Sequence, residues 1–311
     1  MEGDLTGQAV HGHATGRQKW LGHLAMILFA GLIAGSFSLG SIIAPFIASA
    51  PLNALRFLIA SILMGAAGFI LFRQAMRWPR EPWRFLILGS LMGAYFVTMF
   101  VGLATADPVS MGAVFTLNPL LSAGFGYLLL GQKPRPVVLA SLLIAAAGAI
   151  WVIFRGDPAR LAAFDIGRGE LIYLGGVICH SAYAALMRKF SRGEPVVVST
   201  FWSLVATLLC IGAYGLWTGD IASTDWSAMP MIVWFAIAYL AIFTTAVTQF
   251  LLQFSSLRLP AAKVFAYGYL TPAFIIVLEG LIGHGWAGAL VMIGALITVM
   301  GLVVMALSPD S

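Results

Sequence analysis

Thr116-Leu117-Asn118-Pro119 sits inside an apolar run, and Tyr269-Leu270-Thr271-Pro272 repeats the arrangement at the matching depth of the chain's second half. A proline within a helix has no N–H to give and clashes with the carbonyl four residues earlier, here that of Phe115 and that of Gly268. Each helix is therefore expected to bend there and to free a polar group. In lipid such a group must face protein or a water-filled cavity. Two matched breaks mark an interior where something polar is accommodated.

The rest of the chain is membrane-seeking. Of 311 residues, 60% are hydrophobic and 9% charged, with a mean hydropathy of +0.96, against roughly 25% charged in an ordinary soluble domain. This composition predicts an all-α membrane protein. Runs of about 20 apolar residues cross about 30 Å of hydrocarbon. Ten are present, at 23–46, 51–72, 83–104, 108–131, 136–154, 170–189, 195–218, 229–254, 260–282 and 285–307. With the N-terminus inside, the cytoplasmic segments hold Arg17, Lys19, Arg73, Arg77, Arg80, Arg84, Lys133, Arg135, Arg188, Lys189, Arg192 and Arg258, against Arg155, Arg160 and Arg168 outside. That bias predicts N- and C-termini in the cytoplasm of a multi-pass protein of the bacterial cytoplasmic (inner) membrane.

Residues 1–22 and 308–311 are then cytoplasmic tails, and 155–169, with Asp157, Pro158 and Asp165, is a periplasmic linker between halves. The polar first 22 residues lack the short apolar region and small-residue cleavage site of a signal peptide. The pI of about 9.4 does not indicate nucleic acid, because the basic residues lie in short loops and orientation explains them. Cys179 and Cys210 fall inside spans and read as packing residues, while His11 and His13 are too few for a metal site. No metal or cofactor is expected. Trp20, Trp78, Trp83, Trp217, Trp226 and Trp286 lie near span ends, where tryptophan anchors a helix at the interface.

The halves, 23–154 and 170–307, correspond. Gly31 to Phe37 aligns with Gly176 to Ala182, Pro51 with Pro195, Pro119 with Pro272, Gly131 with Gly283 and Gly148 with Gly301. Five spans per half is an odd number, so the second half enters from the opposite side: ten transmembrane helices form two inverted five-helix repeats. Such pairs hold a substrate near the midplane and work by alternating access. No span pair offers a carboxylate dyad, a His-rich metal set or a nucleophile with its base, so an enzyme is not indicated. Nor does a Gly-rich, Lys-Ser/Thr phosphate loop indicate direct use of ATP.

Ala34-Gly35-Ser36-Phe37, Arg56, the two prolines and Leu129-Leu130-Gly131-Gln132 together resemble the drug/metabolite transporter superfamily, specifically its ten-helix EamA-type exporters, over about 23–307. That family often has Glu after this glycine, where the present chain has Gln132 and, in its second half, His284. Through Tyr267-Gly268-Tyr269-Leu270-Thr271-Pro272 the chain is most similar to the YddG-type exporters of aromatic amino acids. The resemblance implies a basket of spans one to four and six to nine around a central cavity, with spans five and ten peripheral. It implies export of aromatic and other neutral amino acids and related metabolites; the alternative is broad-specificity drug efflux. The implied partners are a small-molecule substrate and the lipid bilayer, and one ten-helix unit can enclose a cavity as a monomer.

Ionisable groups inside spans cost about 2.5–3.5 kcal/mol at a helix centre, so each needs a reason. Arg56 either takes part in coupling or gating, binds a carboxylate, or snorkels to water. Lys263 heads a stripe with Tyr267 and Thr271 at i+4 and i+8 and either meets substrate or snorkels. Glu279 is a gating or proton-carrying candidate, or solvated surface. His180, with Tyr183 at i+3, is a substrate donor, a proton carrier or a structural histidine. Thr245, Gln249 and Gln253 form a stripe at i, i+4 and i+8 that either lines the cavity or bonds a neighbouring helix. Asn118, Tyr95, Phe115, Trp202 and Tyr239 complete a ring-rich candidate lining with few charges, hinged at Pro119 and Pro272. It suits a solute with an apolar or aromatic side chain and polar ends. A phosphate ester would recruit more Arg or Lys.

Overall fold

The structure, a computed structural model, describes residues 16–79, 81–131, 135–256, 258–259 and 261–307. The first half comprises α1 (Gly16–Ile43), α2 (Ser49–Leu71), α3 (Pro82–Leu103), α4 (Pro108–Phe115), α5 (Asn118–Leu130) and α6 (Pro136–Ile153). A short α7 (Pro158–Ala163) leads to α8 (Arg168–Phe190), α9 (Val196–Trp217) and a single turn, α10 (Asp220–Ser223). Then come α11 (Met231–Ala241), α12 (Thr248–Ser256), α13 (Ala261–Ala266), α14 (Thr271–Leu281) and α15 (Ala289–Leu307). Among the described residues nine helices are long and apolar enough to cross a membrane, counting α4 with α5, α11 with α12 and α13 with α14 as continuous spans, and α15 adds a shorter apolar one, Ala289–Met305.

Prolines open α3, α4 and α6 within their first turn, where a missing N–H has no intrahelical partner to lose. Asp107 caps α4 by accepting the Ser110 N–H at 2.9 Å.

The two sequence breaks become interruptions between half-helices rather than bends in one rod. α4 stops at Phe115, a turn passes through Thr116 and Leu117, and Pro119 lies in the first turn of α5. In the second half a 3-10 turn, Tyr267–Leu270, separates α13 from α14, whose first turn holds Pro272. The Gly268 carbonyl that Pro272 cannot serve accepts from the Thr271 N–H instead. The breaks face one another: a Cβ on Gly268 would lie 3.5 Å from the Phe115 ring, and one on Gly112 would lie 3.6 Å from the Pro272 Cα. Gly131 and Gly283 follow the two broken spans with φ of 66° and 89°, the left-handed conformation that glycine takes without a Cβ penalty.

The main helix pairings between halves are closed under their exchange. α1 packs on α12 and α14 just as α8 packs on α3 and α5, and α2 on α11 as α9 on α3; α2 meets α9, α4 meets α14 and α6 meets α15. Each of these pairings therefore has its counterpart under a two-fold relation between repeats, as two inverted units require. α6 and α15 form the outlying pair. Gly148 abuts the backbone of Gly294 and Thr298, while its repeat counterpart Gly301 abuts that of Ser141 and Ala145. Small residues allow such close approach where no hydrophobic force drives helices together.

Candidate functional site

A cavity of about 100 Å³ lies where these elements converge, lined from α1, α2, α3, α5, α8, α9, α12 and α13, with Phe115 and Gly268 from the two breaks. That is room for several waters, each needing about 10–15 Å³. Its lining runs from the level of Arg56, Tyr95 and Phe115 toward the end of the bundle that carries the chain termini, reaching Met26, Thr200, Leu252 and Val264. At the opposite end Phe37, Met99, Met111 and Tyr173 pack with at most 1% exposure. The seal is aromatic. Phe37 lies 6.1 Å from Phe115 and 6.0 Å from Tyr173, and the Tyr173 hydroxyl donates to that of Tyr95 at 3.1 Å.

The cavity brings together Arg56, Tyr95, Asn118, Pro119, His180, Tyr183 and Gln249 from the sequence-derived candidates, with Phe115 and Thr245. His180 lies 4.5 Å from the Tyr95 ring and stacks at 6.2 Å on Tyr183, and its Nδ1 is buried without a partner among the described residues. Asn118 anchors the broken span to α8, its side-chain oxygen accepting from Ser181 Oγ at 2.7 Å. Arg56 does not snorkel. It is 1% exposed, donating through Nε to Thr245 Oγ1 at 2.9 Å and through Nη2 to Thr244 Oγ1 at 3.1 Å.

Other candidates stand elsewhere. Tyr267 bonds His23 at 2.5 Å, Tyr239 donates to the Leu32 carbonyl at 3.0 Å, and Thr271 is wholly buried behind the break. Trp202 lies beside Trp78, with ring centroids 5.2 Å apart. Pro272 packs against α4. The side chains of Lys263 and Gln253, and all of Gln132, lie outside the described residues.

Glu279 lines a separate recess at the sealed end with Asp107, Ser110, Arg155 and His284. It is 8% exposed, with Oε2 2.8 Å from His284 Nδ1. Ser110 Oγ in turn donates to the buried Glu170 at 2.9 Å.

At the termini end, Arg84 reaches Glu194 at 2.7 Å and Glu81 at 3.1 Å, and Arg192 reaches Glu81 at 3.2 Å, which ties α3 to the α8–α9 turn. Burial alone would raise the Glu194 pKa. Hydrogen bonds from the Arg84 side chain and from backbone N–H groups outweigh it and hold this carboxyl below its ordinary value.

Sequence reading passed over Thr200, Ser203 and Thr207 of α9, which line the cavity at i, i+3 and i+7. That spacing is itself the helical signal. It also passed over Thr244, which reaches the site because Ile242–Val247 is a π-helical segment.

Comparison with known proteins agrees with this architecture. The EamA-like transporter family model matches residues 20–154 and 167–307. The chain belongs to the EamA-like transporter family. Members of this family and the named relatives are transporters, so it is a membrane-spanning transporter and not an enzyme. The chain is 25% identical over 218 residues to the uncharacterized transporter YyaM of Bacillus subtilis (strain 168), covering 70% of each. It is 29% identical over 194 residues to the aromatic amino acid exporter YddG of Ancylobacter novellus, covering 60% of this chain and 64% of that one. A solved crystal structure, 24% identical, superposes with a TM-score of 0.68 over 93% of this chain and 96% of its own, a likeness of fold.

Proposed function

We propose that this EamA-family protein exports aromatic and other neutral amino acids from the cytoplasm by alternating access, with both termini on the cytoplasmic side of a bacterial inner membrane. The observation that carries the proposal is the cavity itself. It is ring-lined (Tyr95, Phe96, Phe115, Tyr183) and interleaved with amide and hydroxyl groups, lies beside both proline breaks, and extends from an aromatic seal toward the end that carries the termini. Apolar walls with a few placed polar groups suit a small amphipathic solute. The relative named as an aromatic amino acid exporter supports the same class. In the proposed orientation the cavity faces the cytoplasm, the side from which an exporter loads. The breaks at Pro119 and Pro272 let half-helices tilt without opening a continuous hydrogen-bond ladder.

The test is flux of labelled phenylalanine into liposomes holding only the purified protein. Saturable flux that tryptophan, tyrosine and leucine compete away is the expected result. Flux indistinguishable from empty liposomes, with transport of lipophilic drugs in its place, would overturn the proposal in favour of drug efflux.

A further inference from the structure

Arg56 is the sole formally charged side chain among the described residues that line the cavity. A guanidinium buried this deeply is costly unless an anion meets it, and no ion pair to it forms among the described residues. Its partners are neutral: Thr245 Oγ1, Thr244 Oγ1 and, at 3.3 Å from Nη2, the Thr244 carbonyl. They satisfy N–H geometry but not charge. Nη1 is buried and unpartnered among the described residues, and the Phe96 ring lies 4.1 Å from Cζ, covering one face of the fork.

The π segment explains how this edge is held. Neighbouring residues of a regular helix point about 100° apart, yet Thr244 and Thr245 both donate to the Leu240 carbonyl, at 3.0 and 2.9 Å, and both turn an oxygen to Arg56. Two hydroxyls fix one edge of a planar donor and leave the rest of its capacity unused, which is how a carboxylate site is pre-organised.

We propose that Arg56 binds the carboxylate of the transported molecule and that the cavity selects monocarboxylates, the substrate's amino group being dispensable. The inference rests on the transport reading above. No Asp or Glu is among the described lining residues, so an ammonium finds only neutral acceptors such as Asn118 and Gln249, and a purely cationic solute meets like charge. A second anionic group would have no counterion among these residues.

The test adds 3-phenylpropionate, phenylalanine or 2-phenylethylamine to the purified full-length protein and reads its melting temperature, with labelled phenylalanine flux measured in parallel. Both carboxylates are expected to stabilise it and the amine is not. Arg56→Lys and Arg56→Gln should weaken phenylpropionate affinity, read from the concentration dependence of the shift, about tenfold or more. The wild-type comparison stands even where a variant fails to fold. Equal stabilisation by amine and carboxylate overturns the anchor and leaves transport standing if phenylalanine moves. Unchanged phenylpropionate binding by Arg56→Gln overturns it too. Absence of phenylalanine flux, with phenylpropionate stabilisation that Arg56→Lys loses, sustains the anchor and rejects the amino-acid reading. Neither flux nor stabilisation by any of the three overturns both.

Discussion

At the scale of single residues, charge is placed sparingly and each instance has a physical consequence. Glu194 illustrates this outside the lipid. Its folded-state pKa lies below the ordinary carboxylate value, so its interactions add stability that is fully present above about pH 4.3 and is lost as the pH falls through the lowered folded value. Glu194→Gln should cost about 1–3 kcal/mol at neutral pH, because Arg84 is 3% exposed and loses its closest carboxylate, though Glu81 remains. Melting curves of the two proteins should therefore converge as the pH is taken below about 4, and a gap that persists in acid would show the effect to be steric. The role of such residues was only half legible in the sequence. Arg56 could be recognised as expensive, but what holds it lies 188 and 189 residues away in Thr244 and Thr245. A π segment leaves no periodic trace that would announce two adjacent threonines on one face.

Elements were more readable, because proline and glycine act locally. Pro119 and Pro272 marked where the two spans depart from a straight helix, though as interruptions and not the expected bends, and the matched Gly131 and Gly283 take left-handed backbone after them. What local chemistry does not specify is depth of packing: Tyr267 opens a 3-10 turn and Thr271 the helix after it, and neither is among the residues that line the cavity. The glycine match Gly148 to Gly301 proved to be a close crossing of α6 and α15. A Cβ on Gly148 would stand 2.7 Å from the Gly294 oxygen and the Thr298 nitrogen, both backbone atoms that cannot rotate aside. Gly148→Ala is therefore expected to destabilise by about 1–3 kcal/mol. Gly212→Ala, in α9 with nothing within 4 Å of its Cβ, should cost nothing or stabilise. Thermal melting in one detergent checks the pair. Equal melting temperatures would mean that α6 and α15 separate more easily than their packing implies. Because neither helix contributes to the cavity lining, the affinity of Gly148→Ala for substrate should be unchanged.

For the molecule as a whole, the exchange symmetry of the contacts sets a limit on how it can move. The main helix pairings across the repeat boundary have counterparts, so under the proposed alternating access a rearrangement that opens one end has an equivalent that opens the other. In the present state the cavity reaches toward the termini, and Ser110 at the far end is 2% exposed beneath its bond to Glu170. Opening the far end must part α4 from α8 and uncover Ser110, whereas closing the near end must cover Thr200. Single cysteines at these positions, in a protein whose Cys179 and Cys210 are replaced by alanine, would report both movements through their rates of modification by a charged, membrane-impermeant thiol reagent. Without substrate, Thr200→Cys should react and Ser110→Cys should be slow. During turnover on a transported amino acid the first rate should fall and the second rise, since the populations trade one for one. If the two rates rose together, the protein would open at both ends at once, which is a channel's behaviour. If substrate changed neither, the aromatic seal of Phe37, Tyr95, Phe115 and Tyr173 would be a fixed wall rather than a gate.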